Sequence, residues 1–270
     1  MQLLTHSEAP YFVFDKLKEF SDITHFVTTR HGGVSDGAFA TLNLGLGTQD
    51  RPLSVLQNRQ ILADSLGIPQ EYFVMANQVH GTNVEVILRD RRGAGAFSRH
   101  NAIPSTDAMI TNEPEICLFV MSADCVPLLF YDPVKLVIGA AHAGWRGTID
   151  RVAVATIRKM NETYGCSPQN IIVAIGPSIG PCCYKVGGDV INEVLNKFGT
   201  TDGLISFDNP ESTPILDLWA ANKIQLLEAG VLEENMEIAE KCTNCNFGDF
   251  FSSRYGKGLT GRFGAGIMIK

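Results

Sequence analysis

The chain has 270 residues, 45% of them hydrophobic and 19% charged, the balance of an ordinary globular protein with material for a substantial core. A formal net charge of -7 argues against a general surface for nucleic acid or anionic membrane, so an anionic ligand has to be held in a local cationic pocket. No apolar run approaches the about 20 residues that span a bilayer. The opening MQLLTHSEAPYFVFDKL has no basic start followed by an apolar stretch, which predicts a cytoplasmic protein without a secretion signal.

In chain order, short apolar and β-branched runs that end in Gly, Pro, Asn or Asp predict strands at 23–29, 72–80, 83–88, 107–111, 115–123, 126–132 and 135–143. PLSVLQNRQILADSLG, after the first of these, predicts a helix. The YDPVK break between the last two carries an Asp-Pro turn signal and predicts a hairpin. Beyond GWRG, the segment TIDRVAVATIRKMNETYG sets Ile149, Val152, Ala153, Ala155, Thr156 and Met160 near one helical stripe, with Thr148 as N-cap and Gly165 as terminator. Lying between KLVIGAA and NIIVAIG, this helix predicts a right-handed crossover with parallel pairing of the flanking strands. GGDVINEVLNKFG and LDLWAANKIQLLEAG predict two further helices, and DFFSSRYGKGLTGRFGAGIMIK returns to strand. With no linker, repeat or low-complexity tract, the pattern is one α/β domain over 1–270, mixed sheets covered by helices.

Three segments place metal-capable side chains at or just past strand ends: NQVHG with His80, SADCVP with Cys125 and AAHAGWRG with His142. Strand ends are where α/β proteins build their sites. Two imidazoles and one thiolate suit zinc, and three protein ligands leave the fourth tetrahedral position for water or substrate. Taken singly, a His or Cys in an apolar strand is a packing residue. The set stands out because each member lies among Gly, Asp, Gln and Arg.

Asp124, next to Cys125, is a candidate partner for a ligand histidine or a general acid/base, with a turn-forming Asp as the plain alternative. Gln78 shares the NQVHG segment and is a candidate substrate contact. The HAGWRGT turn runs into a helix, so its N–H groups and Arg146 form a candidate anion site. Arg30, in TTRHGGVS, is a second phosphate candidate, although an arginine near glycine is more often a solvated surface group. His31 and Asn43 fall in the glycine-rich loop HGGVSDGAFATLNLGLG, a candidate pocket lid. The seven cysteines do not have the spacing of a disulfide framework. Cys182 and Cys183 read as structural, and Cys242 and Cys245 as half a structural zinc site or a redox pair with no second C-x-x-C. His6, His25 and His100 have no supporting neighbours.

Taken together, TTRHGGVS, NLGLG, NQVHG, STDAMIT, MSADCVPLLFYD, AAHAGWRGT, AIGPSIGPCCYKVG and FFSSRYGKGLTGR resemble the YfiH/YlmD-type family, also described as laccase-domain or polyphenol-oxidoreductase proteins. The resemblance runs from about residue 23 to the end. It places the family's metal-binding His, Cys and His on His80, Cys125 and His142. It implies an α/β fold of stacked mixed sheets flanked by helices, of the cysteine-hydrolase-like (CNF/YfiH-like) kind. It also implies phosphorolysis of adenosine, inosine, guanosine and methylthioadenosine, together with deamination of adenosine.

Deamination needs a water made nucleophilic at neutral pH, which an open zinc site provides, and a proton shuttle, for which Asp124 is the candidate. Phosphorolysis needs phosphate positioned against the sugar C1′, which draws attention to Arg146 and Arg30. Two other enzyme readings stay open. A copper-dependent phenol oxidase would require a histidine-rich cluster that six scattered histidines do not supply, although copper can occupy the zinc ligands. A cysteine amidase editing peptidoglycan precursors would use Cys125 as nucleophile and His142 as base. A binding module in which metal only ties strand ends together is the non-enzymatic alternative, and monomer and homodimer both stay open.

Overall fold

The computed structural model describes residues 1–207 and 212–270. Its strands are β1 (Gln2–Leu4), β2 (Tyr11–Val13), β3 (Ile23–Thr28), β4 (Phe73–Met75), β5 (Val84–Val86), β6 (Ala108–Thr111), β7 (Cys117–Ser122), β8 (Val126–Asp132), β9 (Val137–Ala143), β10 (Ile172–Ile175), β11 (Ile205–Ser206), β12 (Ile215–Leu216), β13 (Met236–Ile238) and β14 (Phe263–Ile269). The helices are α1 (Asp15–Lys18), α2 (Pro52–Leu66), α3 (Trp145–Ile149), α4 (Val152–Tyr164), α5 (Gly188–Phe198) and α6 (Leu218–Glu228). One mixed sheet has the order β1-β2-β3-β14-β7-β4 and the other β13-β10-β8-β9-β6-β5.

Period-two alternation on strands buried on both faces dictates the layers. On β8, Leu129 and Tyr131 pack between the two sheets with Leu118, Val120, Ala265 and Ile267 of the first sheet. Leu128 and Phe130 point the other way, against Ile149, Val152, Ile157 and Met160 of α3 and α4. On β7, Cys117 and Phe119 face outward and meet Leu62 and Ala63 of α2. The result is two face-to-face sheets with helices outside each, the α/β class expected. Gly264 and Gly266 of β14 make room on the outer face of the first sheet for two phenylalanines, because a Cβ there would lie 2.1 Å from the Phe119 ring and 2.5 Å from that of Phe26.

The predicted hairpin forms as β8 and β9, with Val126 opposite Ala143 and Asp132 opposite Val137. The predicted parallel pairing across the helix does not. β10 pairs antiparallel with β8, so β8 lies between β9 and β10, which run the same way without touching edges. The hairpin partner takes the position that the crossover argument gave to β10. The long predicted helix is also two helices: Arg151 has a φ of 69° and breaks it. Thr148 is therefore not an N-cap but a buried residue of α3, accepting a hydrogen bond from Asn222 at 3.2 Å. Gly165 does end α4, in the left-handed conformation. The run 72–80 is strand only through Met75, and the carboxyl-terminal strand begins at Phe263.

His25 on β3 is buried and its Nε2 accepts the Phe14 N–H at 2.8 Å. Burial pushes the imidazole down to about 4 from its ordinary 6.5. The unfolded chain therefore takes up a proton near pH 6.5 that the folded chain refuses until near pH 4, and the stabilisation, full above pH 6.5, is lost as pH falls through that window. Denaturant titrations at pH 7 and pH 5 should show a loss of about 2 kcal/mol that His25→Gln, which keeps an acceptor for Phe14, does not share.

Candidate active site

The site forms where the chain crosses between sheets. The β4–β5 connection leaves the first sheet for the second and carries His80, while Asp124 and Cys125 make the crossing from β7 to β8. His142 is near the end of β9, opposite Pro127. The metal-ligating atoms of His80, Cys125 and His142 all lie within 4.8 Å of one another, and the two imidazoles meet edge to face at 4.9 Å between ring centroids.

The buried carboxylate of Asp107, immediately before β6, organises this cluster. Its Oδ1 is 2.9 Å from Nδ1 of His142. The same carboxylate accepts the backbone N–H groups of Val79 at 3.2 Å, His80 at 2.9 Å and Gly81 at 2.7 Å. These bonds hold His80 at φ 63°, a left-handed conformation that few side chains adopt unaided. They also fix the His142 tautomer, so that Nε2 faces Cys125. The carboxylate partner of His142 is therefore Asp107, not Asp124, whose Oδ1 accepts from the Thr243 hydroxyl and Oδ2 from the Arg254 backbone N–H, both at 2.6 Å. Gly144 completes the packing: a Cβ there would lie 2.7 Å from the His80 ring and 3.2 Å from the Cys125 sulfur.

Burial pushes the Cys125 thiol up, but the charge and hydrogen bonds of His142 and His80 overcome it and bring the thiol down to about 6. Burial pushes the His142 imidazole down, yet the Cys125 thiolate and the Asp107 hydrogen bond raise it to about 9. For Asp107 too, burial is outweighed by His142 and by the Gly81 and Val79 N–H groups, and its carboxyl is held below the usual range. A thiolate, two imidazoles and an oriented second ring nitrogen form a donor set able to hold a metal ion.

All three donors line a cavity of about 720 Å³. Arg99, Arg254, Lys257 and Arg262 also line it, and Asp124 is the single carboxylate there, which gives an acidic protein a local cationic pocket. Gln78 lies in its wall with both amide ends bonded to the Met121 backbone, at 2.8 and 2.9 Å. Arg30 is outside the lining, spending its guanidinium on the carbonyls of Ala40 and Phe247 and on the Phe251 ring. Asn43 is also outside and fully buried, bonded to Thr48, Asp50, Gly45 and Arg262. Arg146 lies over Trp145 and lines a smaller cavity of about 410 Å³ that His80 and Cys125 also border.

Sequence reasoning passed over Asp107 and the carboxyl-terminal cations. Asp107 stands one residue before a strand in STDAMIT, the same strand-end signal that singled out the ligands. Arg254, Lys257 and Arg262 sit in a turn-rich segment that nothing local ties to residue 125.

Stacked mixed sheets with a His, Cys, His centre at the crossings define an α/β protein with a metal-competent site. The crystal structure of Bacillus licheniformis hypothetical protein YfiH superposes with a TM-score of 0.93, at 33% identity and covering 99% of each chain. Residues 24–270 match the model of the family described as multi-copper polyphenol oxidoreductase laccase, and the chain belongs to that family. It is 39% identical over 236 residues to purine nucleoside phosphorylase YlmD of Geobacillus stearothermophilus, covering 87% of this chain and 86% of the relative. It is 33% identical over 258 residues to adenosine deaminase RL5 of an unknown prokaryotic organism, covering 95% and 97%. A multicopper ligand set is not assembled among the described residues, where His80 and His142 are the histidines that enter a metal-competent group.

Competition with a chromophoric chelator should show that Asp107→Asn weakens zinc binding by about 10- to 100-fold, the usual effect of losing a ligand's hydrogen-bond partner. Asp124→Asn should leave zinc affinity unchanged.

Proposed function

We propose that the chain is a zinc-dependent purine nucleoside phosphorylase for adenosine, inosine, guanosine and methylthioadenosine, and that it also deaminates adenosine. The observation that carries this reading is the joining, in one cavity, of a three-donor metal centre with a cluster of cations. The names of the relatives support it. His80, Cys125 and His142 would hold the zinc, which supplies a Lewis acid able to make water nucleophilic at neutral pH.

The chain's own groups do the rest. Asp107 keeps His142 in one tautomer. Arg99 and Lys257 bring positive charge to the cavity from separate segments and can fix phosphate against the sugar, while Leu46, Met75 and Met121 offer apolar surface to a purine face. Arg262 is buried deeper and donates to the carbonyls of Thr260 and Gly261. Asp124 accepts from Thr243 on one carboxylate oxygen and from the Arg254 N–H on the other, which positions the segment that carries Arg254, while a second lone pair on each oxygen stays available for a proton.

A second reading is favoured by one observation, the Cys125–His142–Asp107 series with its thiol near 6, which is also the arrangement of a cysteine amidase. It leaves His80 without a catalytic task.

Chromatography of adenosine reactions with and without phosphate separates the readings. Adenine and ribose 1-phosphate should form only with phosphate, and inosine should form without it. Turnover that survives zinc removal but ends on alkylation of Cys125 would instead favour the amidase chemistry. Arg99→Ala and Lys257→Ala should each raise the KM for phosphate about tenfold, the loss of one hydrogen bond to a charged group, with zinc content intact. Arg146→Ala tests the smaller cavity and should leave that KM unchanged.

A further inference from the structure

We infer that Cys182, Cys183, Cys242 and Cys245 form a second, structural zinc site that staples together two segments walling the active cavity. Their four sulfurs lie within 4.8 Å of one another. The Cys245 sulfur is 3.5 Å from that of Cys182 and 3.4 Å from that of Cys183. Around a tetrahedral zinc with Zn–S bonds of about 2.3 Å, the sulfurs stand about 3.8 Å apart, so modest rotations of the side chains complete the sphere. An iron–sulfur cluster has to fit sulfide ions between its irons and needs its cysteines more widely spread than this group.

Sequence and backbone build the group from two turns. In the first, the N–H groups of Cys183 and Tyr184 both donate to the Gly180 carbonyl, at 2.9 and 3.0 Å, which turns the adjacent cysteines back on themselves. In the second, the backbone N–H and side-chain amide of Asn246 close on the Cys242 carbonyl at 2.9 and 2.8 Å, curling the C-x-x-C over the same point. A parallel bridge between Ser178 and Cys242 brings the turns together. The Asn244 amide donates to the Cys183 sulfur at 3.1 Å, a contact suited to a thiolate. Cys242 is buried while Cys182 and Cys245 are exposed, which leaves the ion a path in.

Four protein ligands close the coordination sphere, so this ion is structural, unlike the open three-donor centre. Zinc entering as the dication displaces up to four thiol protons and leaves a tetrathiolate of charge −2, with no change of oxidation state. The stapled segments matter to the cavity. The first carries Tyr184, and the second runs on to Arg254, whose guanidinium donates to the carbonyls of Cys183 and Lys185 at 3.2 and 3.1 Å. Thr243, inside the C-x-x-C, is itself a partner of Asp124. The remaining cysteines are Cys125 of the first centre and the buried Cys117 and Cys166.

The test is zinc per folded chain, by native mass spectrometry with elemental analysis, in protein expressed without added metal. The expected results are two zinc ions in the natural chain, one in His80→Ala and one in the double variant Cys242→Ser with Cys245→Ser. Cobalt loaded into His80→Ala should show the strong thiolate charge transfer of a four-sulfur tetrahedral site. Should the double variant fail to fold, the His80→Ala chain decides alone. A His80→Ala protein without zinc, iron in place of zinc, a double variant that keeps two zinc ions, or an intact mass two hydrogens light from a disulfide among these cysteines would each overturn the inference. Zinc retained by His80→Ala is independent of any nucleoside result, so this site and the proposed activity stand or fall separately.

Discussion

The active region depends on one buried carboxylate. Asp107 is removed from water and is stabilised only because four donors converge on it: the His142 ring and the N–H groups of Val79, His80 and Gly81. A buried charge without such partners would be costly, and with them it becomes a fixed point. From it follow the turn that presents His80, the ring nitrogen that His142 offers to Cys125, and the attachment of the β4–β5 connection to the second sheet. The centre is thus a product of the crossings between sheets, and its geometry is inherited from strand pairing rather than from a flexible loop.

Around that point the protein divides its charge. The chain is acidic as a whole, with a formal net charge of -7, yet the large cavity gathers Arg99, Arg254, Lys257 and Arg262. Such an arrangement attracts an anion to one place without making the surface adhesive to polyanions. The cations arrive from distant parts of the sequence: the tie between Asp124 and the Thr243–Arg254 segment holds Arg254, while Arg99 is held by the Asn77 side chain. The tetracysteine group would secure the same segment from behind, so that one metal defines the chemistry and another the wall.

Much of this was legible in the sequence because it is encoded locally. The apolar runs of β8 and β9, the Asp-Pro turn and the terminal Gly165 marked the hairpin and the α4 terminus, and the strand-end position of His80, Cys125 and His142 singled out three residues that the fold brings together. What could not be read is non-local. The place of β8 between β9 and β10 depends on which edges pair, and the φ of 69° at Arg151 leaves no mark in a helical stripe. Arg30 and Asn43 look like ligand residues in a glycine-rich loop, yet their partners are backbone carbonyls and buried polar side chains supplied by other segments. Cys182 and Cys183 read as structural and the C-x-x-C as half a zinc site or a redox pair; that the fold gathers all four sulfurs could not be read, because the adjacent pair lies more than fifty residues upstream.

The central claim is that His80, Cys125 and His142 form an open zinc centre, and anomalous diffraction at the zinc edge from crystals of protein purified without added metal tests it most directly. The account predicts a peak bonded to these three side chains, with its fourth neighbour a non-protein ligand on the side of the large cavity. No peak at that position, or a fourth protein side chain closing the sphere, would contradict it.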